Sequence, residues 1–241
     1  MPLNPVPPAA DRAQAGAAAP LGLAELERYW NAAAQDRPVV LVGMGRWGRV
    51  LAGVVAQARG TSRHIALVAR SNGAEIADWC RRSPGLGDAV LASGVGEALA
   101  GLERRVAGNG SFAIVASRPR DHGRDMRAAL ALHLPVLVEK PLTDDPALGR
   151  ALLREAAERR LLLGLGVEFS LLPAFHHAAL ALAAASVRPD SATLLWDDPA
   201  DEARHGGVKS RHDEVTLLDD LLPHALSIFR IFAPQGSWQV E

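Results

Sequence analysis

At 241 residues, with 26 basic and 27 acidic side chains and a formal net charge of −1, the chain can bury a core but carries no global field to recruit nucleic acid or an anionic membrane. Just under half of it is apolar, yet each apolar run is broken by Arg, Asp, Glu, Gly or Pro before the roughly eighteen residues a bilayer span needs, so no membrane partner is expected. Cys80 is the only cysteine, which excludes an internal disulfide or a cysteine metal cluster within one chain; it reads as a small buried apolar residue.

The opening runs Met-Pro-Leu-Asn-Pro-Val-Pro-Pro and turns Ala-rich without a basic stretch ahead of an apolar one. No export signal is read, and a cytoplasmic protein is expected. Residues 1–20 suit a disordered Pro/Ala-rich tail. Leu23, Leu26, Tyr29, Trp30 and Ala33 then recur at helical spacing and predict a leading helix over 21–36.

From residue 37 the pattern alternates. Pro38–Val42 reads as a buried strand and Val50–Arg59 as a helix, His64–Ala69 as a second strand and Glu75–Arg82 as a helix with Trp79 on its apolar side. Phe112–Ala116 is a strand, Asp121–His133 a helix, Pro135–Val138 a strand and Pro146–Arg160 a helix whose start is marked by Asp145 as side-chain cap and Pro146 at the first turn. Leu161–Val167 closes the series. The predicted fold class is α/β, a doubly wound parallel sheet over 37–167. Residues 168–241 read as an incomplete α+β second domain, with a helix over Pro173–Ala185, a strand over Ala192–Trp196, a Gly- and charge-rich loop over 197–214 and a final helix.

Gly43-Met44-Gly45-Arg46-Trp47-Gly48 sits between the first strand and its helix and matches G-x-G-x-x-G. Such glycines allow a tight turn, close approach of backbone to a pyrophosphate and close packing of helix on strand, while the helix start offers free amides to the phosphates. A purely structural turn is the other reading of the same residues. About twenty positions on, where an NAD site places a carboxylate for the ribose, the chain reads Arg70-Ser71-Asn72. Arg70 could pair with a 2′-phosphate and Ser71 could add a hydroxyl, so NADP is expected ahead of NAD.

At Val138-Glu139-Lys140-Pro141-Leu142 the chain resembles the Gfo/Idh/MocA oxidoreductase family, whose Rossmann domain carries Glu-Lys-Pro at the end of its fifth strand. Ser117-Arg118-Pro119-Arg120-Asp121-His122 is similar to the family's Thr-Pro-x-x-x-His loop, with Arg118 in place of the usual proline. Phe169–Phe175 looks like the segment entering the second domain, and Asp220-Leu221-Leu222-Pro223-His224 has the Asp-x-x-x-His spacing of the catalytic helix. The resemblance spans residues 38–232. It implies a cofactor held by Gly43, Met44, Gly45, Arg46, Trp47, Gly48, Arg70, Ser71, Ser117, Arg118, Pro119, His122, Glu139 and Lys140. It further implies that Lys140 lies beside the nicotinamide and binds the substrate oxygen, that His224 is acid or base, and that Asp220 supports His224.

The residues agree with those roles. Only two of the 26 basic side chains are lysines, Lys140 and Lys209, so Lys140 is not this chain's generic positive charge. A partly desolvated ammonium gives up its proton more readily, which would let Lys140 protonate a substrate as hydride arrives. On the last helix Leu218, Leu221, Leu222, Ala225, Phe229 and Phe232 form an apolar stripe expected to be core, and Asp220, His224 and Ser227 a polar stripe expected to face a cleft. Pro223 should lie in the first helical turn, making Asp219 the cap. Ser227 replaces an acid usual in the family. His176-His177 and Arg211-His212-Asp213-Glu214 lack metal-ligand spacing, so no metal is expected.

These readings predict an NADP(H)-dependent oxidoreductase acting on a small carbonyl, alcohol (sugar- or polyol-like) or imine substrate. The alternative is a non-catalytic nucleotide-binding module acting as scaffold or regulator. An incomplete second sheet would expose an edge, so a homo-oligomer or a partner chain completing that domain is expected.

Overall fold

The computed structural model describes residues 37–105, 110–187, 189, 191–196, 203–204, 207–208 and 216–233. The expected tail and leading helix, and most of the loop at 197–214, lie outside the described residues.

Six strands form one parallel sheet: β1 (Val39–Val42), β2 (Ile65–Val68), β3 (Val90–Ala92), β4 (Phe112–Val115), β5 (Val136–Glu139) and β6 (Leu163–Gly166). Their order is β3-β2-β1-β4-β5-β6, two right-handed halves diverging from the middle. The helices between them are α1 (Arg46–Arg59), α2 (Gly73–Arg82), α3 (Val95–Glu103), α4 (Pro119–Ala131) and α5 (Pro146–Glu158). Every residue of β1 and β2 is buried because both faces are covered. Val39, Leu41, Ile65 and Leu67 pack with Ala52, Ala56 and Ile76 of α1 and α2. Val40, Val42, Val68 and Val115 pack on the other face with Ala98, Met126 and Leu152 of α3, α4 and α5. Burying each such large apolar side chain stabilises the fold by roughly 1.5–3 kcal/mol.

Asp145 caps α5 by accepting from the Ala147 amide at 2.8 Å, as its sequence position indicates. The pair β3 and α3 is absent from the sequence reading. Helix α1 starts at Arg46, four residues before its expected start, because Gly45 is already its cap.

Beyond β6 a 3₁₀ turn over Glu168–Leu171 leads to α6 (Pro173–Ala184), and a two-residue hairpin pairs Ala203–Arg204 with Gly207–Val208. Three expectations for this part are corrected. Residues 192–196 join no sheet, and Leu195 is 92% exposed, because no described strand pairs with them. The last helix, α7 (Leu217–Phe232), contains Pro223 in its interior. The Asp220 amide already donates to the Thr216 carbonyl, so Asp219 is inside the helix rather than its cap, and Pro223 merely leaves one helical bond unmade. Finally, the buried face of α7 carries His224 and Ile228. The leucine stripe instead has Leu218 exposed, and Leu222 and Leu226 border a cleft of about 280 Å³ with Pro141, Leu165 and Pro223.

Candidate active site

The strand order switches sides between β1 and β4, where Val42 pairs with Val115 and the Ala116 amide donates to the Val42 carbonyl. Their following loops therefore meet at the carboxyl ends of the strands, the crevice in which such sheets bind ligands. Gly43 has φ +94°, and a Cβ there would overlap the Ser117 backbone; a Cβ on Gly48 would overlap the Gly43 carbonyl oxygen. The protein's own packing requires both glycines. Gly45 differs: its φ is −70°, and a Cβ would meet nothing within 4 Å. It caps α1 with no side-chain hydrogen bond, at the helix end whose backbone and dipole favour an anion. Nearby, the buried Ser117 hydroxyl has no protein partner. Open space at Gly45, a helix N-terminus and an orphaned hydroxyl fit a dinucleotide pyrophosphate.

The other cofactor candidates are distributed around this cradle. Met44 buries its side chain in the core, so only its backbone can serve the site. Arg46 and Trp47 are exposed on the first turn of α1, and the Trp47 indole donates to the Glu139 carboxylate. Arg118, exposed, caps α4, with Pro119 in its first turn. Ser71 is exposed at the end of β2. Arg70 beside it forms an ion pair with Asp125 of α4, a fully buried carboxylate that also lies 3.2 Å from Arg124 Nε. Arg70 thus has a structural partner, yet 38% of its side chain remains exposed.

His122 is placed beneath the cradle. It is 1% exposed, with Nδ1 2.8 Å from the Pro141 carbonyl and Nε2 3.0 Å from the Ser117 carbonyl. It ties the loop after β4 to the loop after β5, with each ring nitrogen within hydrogen-bond distance of one of those carbonyls.

At the end of β5, Glu139 is followed by Lys140 and a cis bond to Pro141. Burial pushes the Glu139 carboxyl above its ordinary pKa, opposed by the Trp47 hydrogen bond. Its partner in β6 is Gly166, where a Cβ would lie 3.2 Å from Glu139 Oε1. Lys140 Nζ donates to the Asp220 carboxylate of α7, which joins the two parts of the chain. One turn on, His224 is 4% exposed, enclosed by Trp196 stacked at 5.7 Å and 12° and by Phe169 edge-on at 4.9 Å. Its Nδ1 has no hydrogen-bond partner and faces Glu168 Oε2 at 3.8 Å. Burial holds its pKa below 6.5, with Lys140 acting the same way and Glu168 and Asp220 opposing. The imidazole is therefore a neutral base at neutral pH.

The structure thus brings Lys140, Asp220 and His224 together, as the motif order implied, but pairs Asp220 with Lys140. Sequence reasoning did not single out Glu168, Trp196 or Asp125. Phe169 entered it only as part of a connecting segment. Among the described residues, no group of three or more His, Cys, Asp or Glu is placed to hold a metal, and no helix is long and apolar enough to cross a membrane.

A sequence model described as "Oxidoreductase family, NAD-binding Rossmann fold" matches residues 37–167, more than half of the chain. The chain belongs to the Gfo/Idh/MocA family. No curated protein matches it. Among solved structures it is similar to GenD2 from gentamicin A biosynthesis in complex with NAD, with 24% identity, a TM-score of 0.59, and coverage of 85% of this chain and 56% of that one. It is also similar to an oxidoreductase from Magnetospirillum magnetotacticum MS-1, with 22% identity, a TM-score of 0.53 and coverage of 81% and 56%. Apo scyllo-inositol dehydrogenase from Lactobacillus casei shares 18% identity at a TM-score of 0.50, over 64% of this chain and 43% of that one. At such identities the likeness concerns the fold of this Gfo/Idh/MocA member, which spans about half the length of those chains.

Proposed function

We propose that the protein is an NADP(H)-dependent oxidoreductase that moves a hydride between the nicotinamide and a small carbonyl or alcohol, sugar- or polyol-like, or an imine. The observation that carries the reading is the convergence of Lys140, Asp220 and buried, neutral His224 at the end of β5, two strands from the glycine cradle. When bound, the nicotinamide supplies or accepts the hydride.

The chain's own residues account for the proton and the positioning. Lys140, held by Asp220, donates a hydrogen bond to the substrate oxygen, stabilising charge that develops there. His224 accepts the hydroxyl proton in oxidation and returns it in reduction. Absence of a carboxylate at Arg70-Ser71-Asn72 supports NADP(H), with one edge of the Arg70 guanidinium turned to a 2′-phosphate while the other stays on Asp125.

Single-turnover assays with NADP(H) and panels of polyols, sugars and cyclic imines test the proposal. Turnover lost in Lys140→Met with retained nucleotide binding supports it; binding without turnover of any such substrate favours a non-catalytic nucleotide-responsive module. Exposed Leu162, Leu171 and Leu172, which adjoin the half-buried edge strand β6 in sequence, support association with a second copy. A sedimentation coefficient that rises with concentration is the expected sign.

A further inference from the structure

We infer that Glu168 is the positioning residue of His224: its carboxylate closes onto Nδ1–H, fixing the tautomer that leaves the Nε2 lone pair for the substrate. The inference rests on the proposed oxidoreductase reading and assigns His224 a different support from the one the family resemblance implied. Asp220 is spent on Lys140, so the histidine needs its anchor elsewhere.

Three observations converge on Glu168. The His224 ring is stacked by Trp196 and met at a right angle by Phe169, and these two rings also touch each other, with centroids 5.1 Å apart, so the three pack as one aromatic cluster that holds the imidazole in place. Its Nδ1 is buried and makes no hydrogen bond, an arrangement that native interiors avoid. The carboxylate facing that nitrogen is Glu168 Oε2 at 3.8 Å, about 1 Å beyond hydrogen-bond distance. The Glu168 side chain is 55% exposed, on the 3₁₀ turn directly after β6, and is free to make that short movement. The charged groups acting on His224 are Glu168 from this turn, Lys140 from the loop after β5, and Asp220 from its own helix. Of these, only Glu168 offers an acceptor to Nδ1 without competing for the Lys140 ammonium.

With Nδ1–H on Glu168, Nε2 is left to take the substrate hydroxyl proton in oxidation, and a bound nicotinamide would accept the hydride that leaves the carbinol carbon. The imidazolium so created is met by the Glu168 carboxylate, in the manner of a carboxylate–histidine dyad.

The test is a pH titration of the His224 imidazole in the full chain by long-range proton–nitrogen NMR, comparing wild type with E168Q, E168D and W196L, and with NADPH binding measured on the same samples. The expected result is an Nδ1–H tautomer in the wild type, weakened in E168Q together with a midpoint moved to lower pH, with E168D, which keeps the charge one methylene further away, falling between the two. W196L should broaden the signals by freeing the ring. Identical midpoint and tautomer in wild type and E168Q would overturn the inference. Absence of nucleotide binding in the wild type would instead overturn the oxidoreductase reading, whatever the tautomer result.

Discussion

Lys140 at the end of β5 and Asp220 on α7 form an ion pair that joins the nucleotide-binding sheet to the segment beyond it. The pair is partly exposed, with 21% of the lysine side chain and 39% of the aspartate accessible, so its contribution to stability is small. Its effect is to hold Nζ in place. Lys140→Met should therefore lower kcat/KM by about a hundred- to ten-thousand-fold, and Asp220→Asn by less, with the nucleotide Kd changing far less than kcat/KM in both. Steady-state kinetics paired with fluorescence titration of the nucleotide separates these effects.

The glycines of the cradle should divide cleanly. Gly48→Ala forces a Cβ onto the Gly43 carbonyl oxygen and should cost about 1–3 kcal/mol or more, the usual penalty of overpacking. Gly45→Ala should leave stability unchanged while weakening nucleotide binding. Urea unfolding of the two variants beside wild type reads the difference.

Arg70 has two roles to separate. Arg70→Ala removes the main counter-charge of fully buried Asp125, which should destabilise the protein by about 1–3 kcal/mol. If the guanidinium also meets a 2′-phosphate, NADPH affinity should fall by tenfold or more while NADH affinity holds. The ratio of the two dissociation constants, taken on folded variant, removes the stability effect.

His224 and Glu139 should shape the pH dependence of stability in opposite senses. The folded His224 has its pKa depressed by burial, so below about pH 6.5 the unfolded chain binds a proton that the folded one resists. Its contribution is present above that pH and is lost as pH falls through the folded value. Glu139 is raised by burial. Its contribution is present below about pH 4.5 and is lost as pH rises through its folded value. Denaturant midpoints measured from pH 5 to 8 should fall less steeply on acidification in His224→Gln. Glu139→Gln should raise the midpoint at pH 7.

The sheet was legible because its inner strands are short, fully apolar and bounded by turn residues, and because Gly43–Gly48 and Glu139–Pro141 mark two of its ends. The β3 strand is only Val90–Ala92, and α3 is an Ala- and Gly-rich helix of nine residues, too short for a clear period. The Ala192–Trp196 run has strand-like composition, but strand formation depends on a neighbour to pair with. Pro223 misled the reading of α7 because tertiary burial of His224 and Ile228 outweighs one missing helical bond. Lys140, Asp220 and His224 were legible through ordered motifs. Glu168, Trp196 and Asp125 were not, since their roles come from contacts between segments distant in sequence.

Fluorescence titration of wild type and Gly45→Val with NADPH and NADH asks whether the open space at Gly45 receives a pyrophosphate. Saturable binding to the wild type, tighter for NADPH, is expected, together with its loss in Gly45→Val while the variant stays folded with at most a small drop in its unfolding midpoint. Equal binding by both proteins, or none by a folded wild type, would contradict a pyrophosphate site there.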